Sequence, residues 1–251
     1  MASFHHENLV VYQRSIKFVA WSRDLLKRIS AKASAKDHLH RASASVPQNI
    51  AESNAKRSPK EQCRFVDIAN GSALECSACL DVLQKKKLLT EELRMEGREL
   101  LFSVVQMLVG LRRSKKDRVE EESSIYGTPR FDHEKLEAYQ TSLQAVEWLN
   151  EFFTNRELDA QSIDTLDRTS TSVALNIAEG NAKFSVKDRC RFIDTSISSG
   201  LRCAGALDVS VASGEAEPDE IMAGKELLRI TVSLLSGLRR RLEEMPPDWG
   251  D

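Results

Sequence analysis

The feature that most constrains this chain is an internal repeat. A shift of 127 positions aligns the two halves without a gap, so that Tyr12 falls on Tyr139 and Trp21 falls on Trp148. Over residues 37–82, more than half of the 46 aligned pairs are identical. Each unit has about 115 residues, enough for a hydrophobic core of its own. The chain is therefore expected to contain two copies of one fold rather than a single larger domain.

Helical periodicity predicts what that fold is. Apolar residues recur at every third or fourth position, as in Leu9, Tyr12 and Ile16, and the chain of 251 residues has only 11 Gly and 6 Pro. Four helices of about 20 residues with short connections can bury such stripes only by packing antiparallel. The predicted fold class is all-α, with two tandem up-down-up-down four-helix bundles.

Charge and composition place the boundaries of the two bundles. We expect the first bundle at 1–118, a linker with a charge run, Gly and Pro at 119–130, and the second bundle at 131–251. Within the first bundle, the third helix is predicted to begin at Ser58-Pro59, with Ser58 as its cap and Glu61 completing a capping box.

The formal net charge of −2 conceals a strong asymmetry between the halves. Residues 1–120 carry 22 Lys and Arg against 14 Asp and Glu, whereas residues 121–251 carry 14 against 24. The first bundle is thus basic, at +8, and the second is acidic, at −10. Two interpretations stay open beside an incidental surface: the bundles attract each other, within or between chains, or the basic bundle binds phosphates. The candidate nucleic-acid-binding cations are Lys56, Arg57, Lys60, Arg112, Arg113, Lys115, Lys116 and Arg118.

A set of polar residues on the second and third helices is shared, or exchanged in charge, between the units. Because Glu52 and Arg64 lie on adjacent helices, they are expected to face each other in a buried or inter-bundle network. One interpretation is that the network makes the pairing of helices or bundles specific. The alternative is that these residues form a site for a ligand or a partner. The candidate members are Asn49, Glu52, Arg64, Asp67, Glu75, Asn176, Glu179, Arg191, Asp194 and Arg202.

No pattern of residues predicts catalysis, a cofactor or a metal. The chain has no Gly-rich phosphate loop, and the Glu-x-x-His pairs of di-iron bundles are absent. Cys76 and Cys79 share a helix face without further zinc ligands, so they are expected to be core residues. The odd number of cysteines, five, favours reduced thiols. No run approaches a membrane span of about 18 residues, and no signal peptide is evident, so we expect a cytoplasmic protein without membrane partners.

The segments Ser45–Lys56, Cys63–Phe65 and Ala69–Glu75 together resemble the bacterial four-helix-bundle family of 23S rRNA intervening-sequence proteins. The accessory variability proteins of diversity-generating retroelements are similar. The resemblance covers nearly the whole chain, twice. It implies bundles that assemble into rings, commonly of five, without enzymatic activity, and the retroelement relatives use a basic ring to bind a reverse transcriptase and nucleic acid.

The two units depart from the family pattern at different places. Ser53 stands where the family has the glycine that the second unit keeps as Gly180. Glu75 of the first unit is replaced by Arg202 in the second. Because each chain supplies two units, we expect self-association with an even number of bundles, or docking within the chain.

The expected function is accordingly that of a non-enzymatic assembly or interaction module, which pairs or oligomerises through complementary bundle surfaces. The alternative is a nucleic-acid-associated accessory protein that binds RNA, DNA or a reverse transcriptase through the basic first bundle.

Overall fold

The computed structural model describes residues 4–29, 32–116, 132–156, 158–183 and 185–244. The regular structure in these ranges is entirely helical, and a short 3-10 turn opens each half, at His5–Asn8 and Asp132–Lys135. The predicted linker at 119–130 and Arg118 lie outside the described residues. The α-helices are α1 (Val10–Arg28), α2 (Ser34–Ala55), α3 (Pro59–Lys85), α4 (Glu91–Lys116), α5 (Glu137–Thr154), α6 (Ala160–Asn181), α7 (Val186–Ala212) and α8 (Pro218–Glu243).

Each half closes into a four-helix bundle. In the first half, α1 packs on α2, α2 on α3 and α3 on α4, and α4 returns to α1. The second half repeats this pattern with α5 to α8. Within each half, the short connections between helices force consecutive helices to run antiparallel. The prediction of two tandem up-down-up-down bundles is confirmed.

A tryptophan and a glycine fix the closing contact of each bundle. A Cβ atom added at Gly97 would lie 2.4 Å from the Trp21 ring, and one added at Gly224 would lie 2.2 Å from the Trp148 ring. Only glycine leaves space for the indole at this approach. Because the two pairs are related by the shift of 127 residues, the first and fourth helices of both bundles meet at the same point.

The predicted capping box at the start of α3 is wrong in its detail. Ser58 is the N-cap residue and Pro59 occupies the first turn, but the Ser58 side chain makes no capping hydrogen bond. In the second bundle the Ser185 hydroxyl accepts a hydrogen bond from the backbone N–H of Asp188. The ring of Pro59 fixes a φ that suits the first turn of a helix, so α3 begins here without a side-chain cap.

Helix α3 is buried on more than one side. Residues Asn70–Leu74 and Cys76–Leu83 are all buried, whereas the matching stretch of α7 alternates between buried and exposed positions. The reason is that α3 also packs against α6 and α5 of the second bundle. The core of the first bundle therefore continues into the second, and residues of α5 and α6 belong to the same apolar cluster.

Candidate functional site

The contact between the two bundles combines buried apolar residues with buried hydrogen bonds and ion pairs. Its apolar part is evident from a comparison of equivalent residues. Leu74 and Val82 on α3 are 4% and 0% exposed, whereas their counterparts Leu201 and Val209 on α7 are 59% and 58% exposed. Since the local fold is the same, the difference arises from the second bundle covering α3.

The same comparison identifies the other side of the contact. Leu143 on α5 is 5% exposed, and its counterpart Ile16 on α1 is 43% exposed. The second bundle thus contributes its first two helices, which pack mainly on α3 of the first bundle. The contact joins two different faces of the repeated unit and is heterologous in type.

Asp81 is the polar centre of this contact. Its carboxylate is buried and accepts a hydrogen bond of 2.8 Å from the Tyr139 hydroxyl of the second bundle. Arg94 and Arg98 on α4 donate to the same carboxylate at 2.8 and 3.3 Å. Burial raises the pKa of the Tyr139 phenol well above its usual value, so the hydroxyl remains a donor. Two cations and one neutral donor compensate the desolvation of the Asp81 charge.

The turn at Asp132–Lys135 completes the centre. Glu134 forms an ion pair with Arg98, and the His133 ring meets the Tyr139 ring edge-on with 4.7 Å between centroids. The pKa of His133 is lowered to about 3, mainly by burial and secondly by the positive charge of Arg98. The imidazole is therefore neutral at physiological pH and serves as a packing surface for the tyrosine.

Asp81, His133 and Glu134 place three potential metal-ligand atoms within 4.8 Å of one another. Arginine already holds both carboxylates, because Arg94 and Arg98 bind Asp81 and Arg98 also binds Glu134. A metal ion at this point would meet the positive charge of two guanidinium groups. The group is therefore explained as a buried ion-pair junction rather than as a metal site.

A second polar centre lies at the end of α3. Lys86 is buried, with 3% of its side chain exposed, and its amino group forms an ion pair with Asp167 on α6. The amino group also donates to the Thr171 hydroxyl at 3.2 Å, and the Asp167 carboxylate accepts from the backbone N–H of Ser34 at 2.8 Å. Burial lowers the pKa of Lys86 to about 7, which makes this pair sensitive to pH in the neutral range.

More exposed ion pairs surround the two centres. Lys85 pairs with Glu147 at 2.9 Å, Lys87 with Glu151 at 3.0 Å, and Lys32 with Asp164 at 3.3 Å. Exposed pairs of this kind contribute about 0–1 kcal/mol each. In every ion pair that the structure describes between the bundles, the cation belongs to the first bundle and the carboxylate to the second.

The polar residues shared by the two units lie mainly within each bundle. Asn49 donates to the backbone carbonyl of Ser45 at 2.7 Å, and Asn176 repeats this bond with Ser172 at 2.7 Å. The Asp67 carboxylate accepts from Arg112 of α4 at 2.6 Å. Asp194 binds Arg239 of α8 in the same way, at 2.5 Å. The two aspartates therefore join neighbouring helices of one bundle, whereas the two asparagines bond within their own helix.

The expected contact between Glu52 and Arg64 is not formed. Glu52 instead pairs with Lys56 one turn further along α2, at 3.1 Å, and Arg64 is exposed. The i, i+4 spacing brings Glu52 and Lys56 together on one helix, whereas Arg64 lies on the outward face of α3.

The remaining candidates have separate surroundings. The Glu75 carboxylate accepts a hydrogen bond from the His38 ring at 2.9 Å, and its exchanged counterpart Arg202 is exposed on α7. Arg191 pairs with Asp188 at 3.6 Å within α7. Glu179 reaches the contact between the bundles, since its side chain and that of Lys183 lie against Gly71.

The structure places most of the proposed basic cluster at one end of the first bundle. The start of α3 lies beside the end of α4, where Lys115 donates to Gln62 at 2.8 Å. Arg57 and Lys60 are exposed there, and Lys56 lies over the Phe65 ring at 4.7 Å. Several of these cations already have protein partners, as with Arg112 and Asp67. The side chain of Lys116 lies outside the described residues.

The cysteines predicted as core residues are in the core. Cys76 and Cys79 are fully buried, and burial raises the pKa of both thiols well above the usual value. Such thiols are poor nucleophiles because the thiolate is disfavoured.

Sequence reasoning missed the residues that carry the contact: Asp81, Lys86, Arg98, Tyr139 and Asp167. One signal was visible, since Tyr12 and Tyr139 are aligned, and so are Asp81 and Asp208. Each half of the tyrosine–aspartate pair is thus present in both units. The lysine run at 85–87 has no counterpart in the second unit, which has Ala212, Ser213 and Gly214 there.

Comparison with protein families returns one match in two places. The family model described as 23S rRNA-intervening sequence protein matches residues 7–110 and again residues 134–237. These ranges coincide with the two bundles and reproduce the shift of 127 residues. Comparison with curated proteins and with solved structures gives no significant match. No helix within the described ranges has the length and apolar character needed to cross a membrane. The chain therefore belongs to the family of 23S rRNA-intervening sequence proteins, as a tandem of two family units.

Proposed function

We propose that the chain is a non-enzymatic assembly module whose two bundles form a docked pair through complementary surfaces. The observation that carries this proposal is the one-sided distribution of charge across the contact. All five described ion pairs between the bundles take their cation from the first bundle. A surface on which charge is incidental would give pairs of both polarities.

The buried pair of Lys86 and Asp167 supports a role in specificity. A buried ion pair contributes little net stability, because both charges lose their hydration. Its geometry is nevertheless demanding, since Lys86 reaches Asp167 and Thr171 only when α3 and α6 are in register. The pair therefore selects one docking arrangement over others.

The polar groups at the contact also support a structural rather than a chemical role. Asp81, Arg98, Tyr139 and Lys86 bind one another or their neighbours across the contact. Tyr139 and Thr171, whose hydroxyls meet Asp81 and Lys86, are fully buried, so a substrate cannot reach them as nucleophilic catalysis requires.

The test is to cut the folded chain between the bundles and ask what holds the halves together. A protease site placed in segment 119–130 allows this, and size-exclusion chromatography then follows the two fragments. We expect the fragments to remain together at about 50 mM salt and to dissociate more readily at about 1 M salt, because the exposed ion pairs are screened.

A charge reversal sharpens the same experiment. Glu147→Lys with Glu151→Lys places like charges opposite Lys85 and Lys87 and should raise the dissociation constant of the fragments about tenfold or more. The control is Glu137→Lys, an exposed residue of α5 that makes no described ion pair to the first bundle. The proposal would be contradicted if the fragments separate at low salt. It would also be contradicted if neither salt nor the charge reversal changes their dissociation constant.

Nucleic-acid contact through the first bundle is a second candidate function. The favouring observation is that Arg57, Lys60 and Arg64 are exposed around the start of α3, on a surface separate from the ion pairs to the second bundle. If they contact phosphates, Arg57→Glu with Lys60→Glu should weaken binding to single-stranded RNA and reduce its salt dependence by about two charges. Equal retention of RNA by this variant and by the control Lys17→Glu would exclude this surface.

A further inference from the structure

An apolar groove lies open on the second bundle, between α7 and α8. Its volume is about 630 Å³, and its lining includes Leu201, Asp208, Ile221 and Lys225. Leu201 is 59% exposed although it is a large apolar side chain. The second bundle thus presents an apolar surface with two charged pairs, Lys225 with Asp208 and Arg229 with Glu226, each at 2.6 Å.

The matching groove of the first bundle is occupied. A shift of 127 residues converts Asp208 and Lys225 into Asp81 and Arg98, and these line a remnant of only 340 Å³. The same remnant is lined by Glu134, Gln140 and Leu143, all from the second bundle. The repeated unit therefore has a groove between its third and fourth helices that receives the first helix of another unit.

The segment that fits such a groove is also present, and open, on the first bundle. Counterparts of Glu134, Tyr139 and Leu143 are Glu7, Tyr12 and Ile16. Ile16 is 43% exposed, and Tyr12 is only partly buried.

The corner that carries these residues already has the docked geometry. The His6 and Tyr12 rings meet edge-on at 4.8 Å, as His133 and Tyr139 do at 4.7 Å. Gln13 donates to the backbone carbonyl of Glu7 at 2.9 Å, and Gln140 donates to that of Glu134 at 2.8 Å. Docking would therefore require little rearrangement of this corner.

We propose that the groove between α7 and α8 binds the first-bundle corner of a second copy of this chain, so that chains associate head to tail. Tyr12 of one copy donates to Asp208 of the other, Glu7 pairs with Lys225, and Ile16 covers the Leu201 side of the groove. The arrangement reuses the contact that joins the bundles within one chain, and it rests on the proposed assembly function.

The contact between copies is weaker than the contact within a chain. Of the ion pairs between the bundles, only that of Arg98 with Glu134 has a charged counterpart of the right signs, in Lys225 and Glu7. The pair of Lys86 and Asp167 corresponds to Ser213 and His40, and the pair of Lys32 and Asp164 corresponds to two aspartates. Duplication has thus strengthened one contact and left the other reversible.

The experiment is sedimentation velocity on the full chain over about 1 to 300 μM, the range suited to a weak contact. We expect the mass to rise with concentration. Leu201→Arg disables the groove, and Ile16→Arg disables the corner, so each should weaken association about tenfold or more. Both positions are exposed in the single chain, so the fold tolerates the change.

Two matched controls should leave association unchanged. Ser233→Arg adds the same side chain to α8 at a position whose counterpart Gln106 stays exposed beside the occupied groove. Lys17→Glu changes the neighbour of Ile16, and its counterpart Gln144 is likewise exposed in the contact within the chain.

Mixing the two disabled variants gives the decisive result. Leu201→Arg retains a working corner and Ile16→Arg retains a working groove, so the mixture should form pairs that grow no further. A wild-type chain that keeps its single-chain mass throughout would overturn the proposal, and so would a mixture that forms no pairs. Either failure leaves the contact within the chain intact in the cut-chain experiment and so is distinguishable from failure of the proposed function.

Discussion

Replacing Tyr139 by Phe removes one hydroxyl from the contact between the bundles and changes little else. The ring remains to pack against His133, and only the hydrogen bond to Asp81 is lost. The chain supplies its own control, because Tyr12 is the equivalent residue of the first bundle and has no carboxylate partner among its described hydrogen bonds.

The size of the effect follows from what remains around Asp81. A hydrogen bond to a charged group contributes roughly 1.5–3 kcal/mol. Arg94 and Arg98 still bind the carboxylate after the change, at 2.8 and 3.3 Å, so it is not left without partners. We therefore expect the lower end of that range, about 1.5 kcal/mol, which corresponds to roughly a tenfold change in an equilibrium constant.

Urea unfolding of the full chain at low concentration measures the change in the free energy of unfolding. Tyr12→Phe should change that free energy by less than about 0.5 kcal/mol, as expected for a surface substitution. In the chain cut between the bundles, Tyr139→Phe should raise the dissociation constant of the fragments about tenfold. Equal effects of Tyr139→Phe and Tyr12→Phe would refute the assignment of Asp81 and Tyr139 as the polar centre of the contact.

Three further predictions test other parts of the structure. Gly224→Ala should destabilise the chain by about 1–3 kcal/mol because its Cβ would overlap the Trp148 ring, whereas Gly205→Ala, in open space within α7, should stabilise it by about 0.5–1 kcal/mol. Thermal unfolding measures the sign of each change, and two changes of the same sign would contradict the packing of Trp148 on Gly224. His133 has a pKa of about 3 when folded and about 6.5 when unfolded, so its contribution to the free energy of unfolding is complete above pH 6.5 and lost as the pH falls towards 3. When the free energy of unfolding is measured against pH in this range, His133→Phe should flatten the dependence. An unchanged slope would show that the imidazole is not buried. Lys86→Met leaves the Asp167 carboxylate without its cation and should weaken docking of the fragments by about 3 kcal/mol at pH 6. A fragment affinity equal to that of the wild type would exclude the ion pair.

The fold could be predicted because it depends on patterns that the chain contains twice. Helical periodicity and the repeat together specify eight helices, and the predicted start of the third helix at Ser58-Pro59 agrees with α3 at Pro59–Lys85. At the start of the first bundle, the chain forms a 3-10 turn at His5–Asn8 and enters α1 only at Val10. A Leu at the cap position gives no side-chain signal for this boundary.

The contact between the bundles could be predicted only in its overall charge. Residues that are identical in both units mark what every bundle needs internally, and Asn49 and Asp67 serve that purpose. Part of the contact is made by residues that differ between the units, such as Lys86, which corresponds to Ser213, and Asp167, which corresponds to His40. A comparison of the units for identity misses these two residues, and it does not show that the shared Asp81 and Tyr139 join the bundles.

The double burial of α3 affects how the chain is made. Synthesis proceeds from the first bundle, so α3 leaves the ribosome before α6, the helix that covers its outer face, has been translated. The interval between Lys85 and Asn181 is about 100 residues, which takes roughly 5–20 s at usual rates of translation. During that time the nascent first bundle exposes Leu74 and Val82 to other chains. The second bundle thus covers an apolar face of the first, and the first half expressed without the second should be more prone to aggregation.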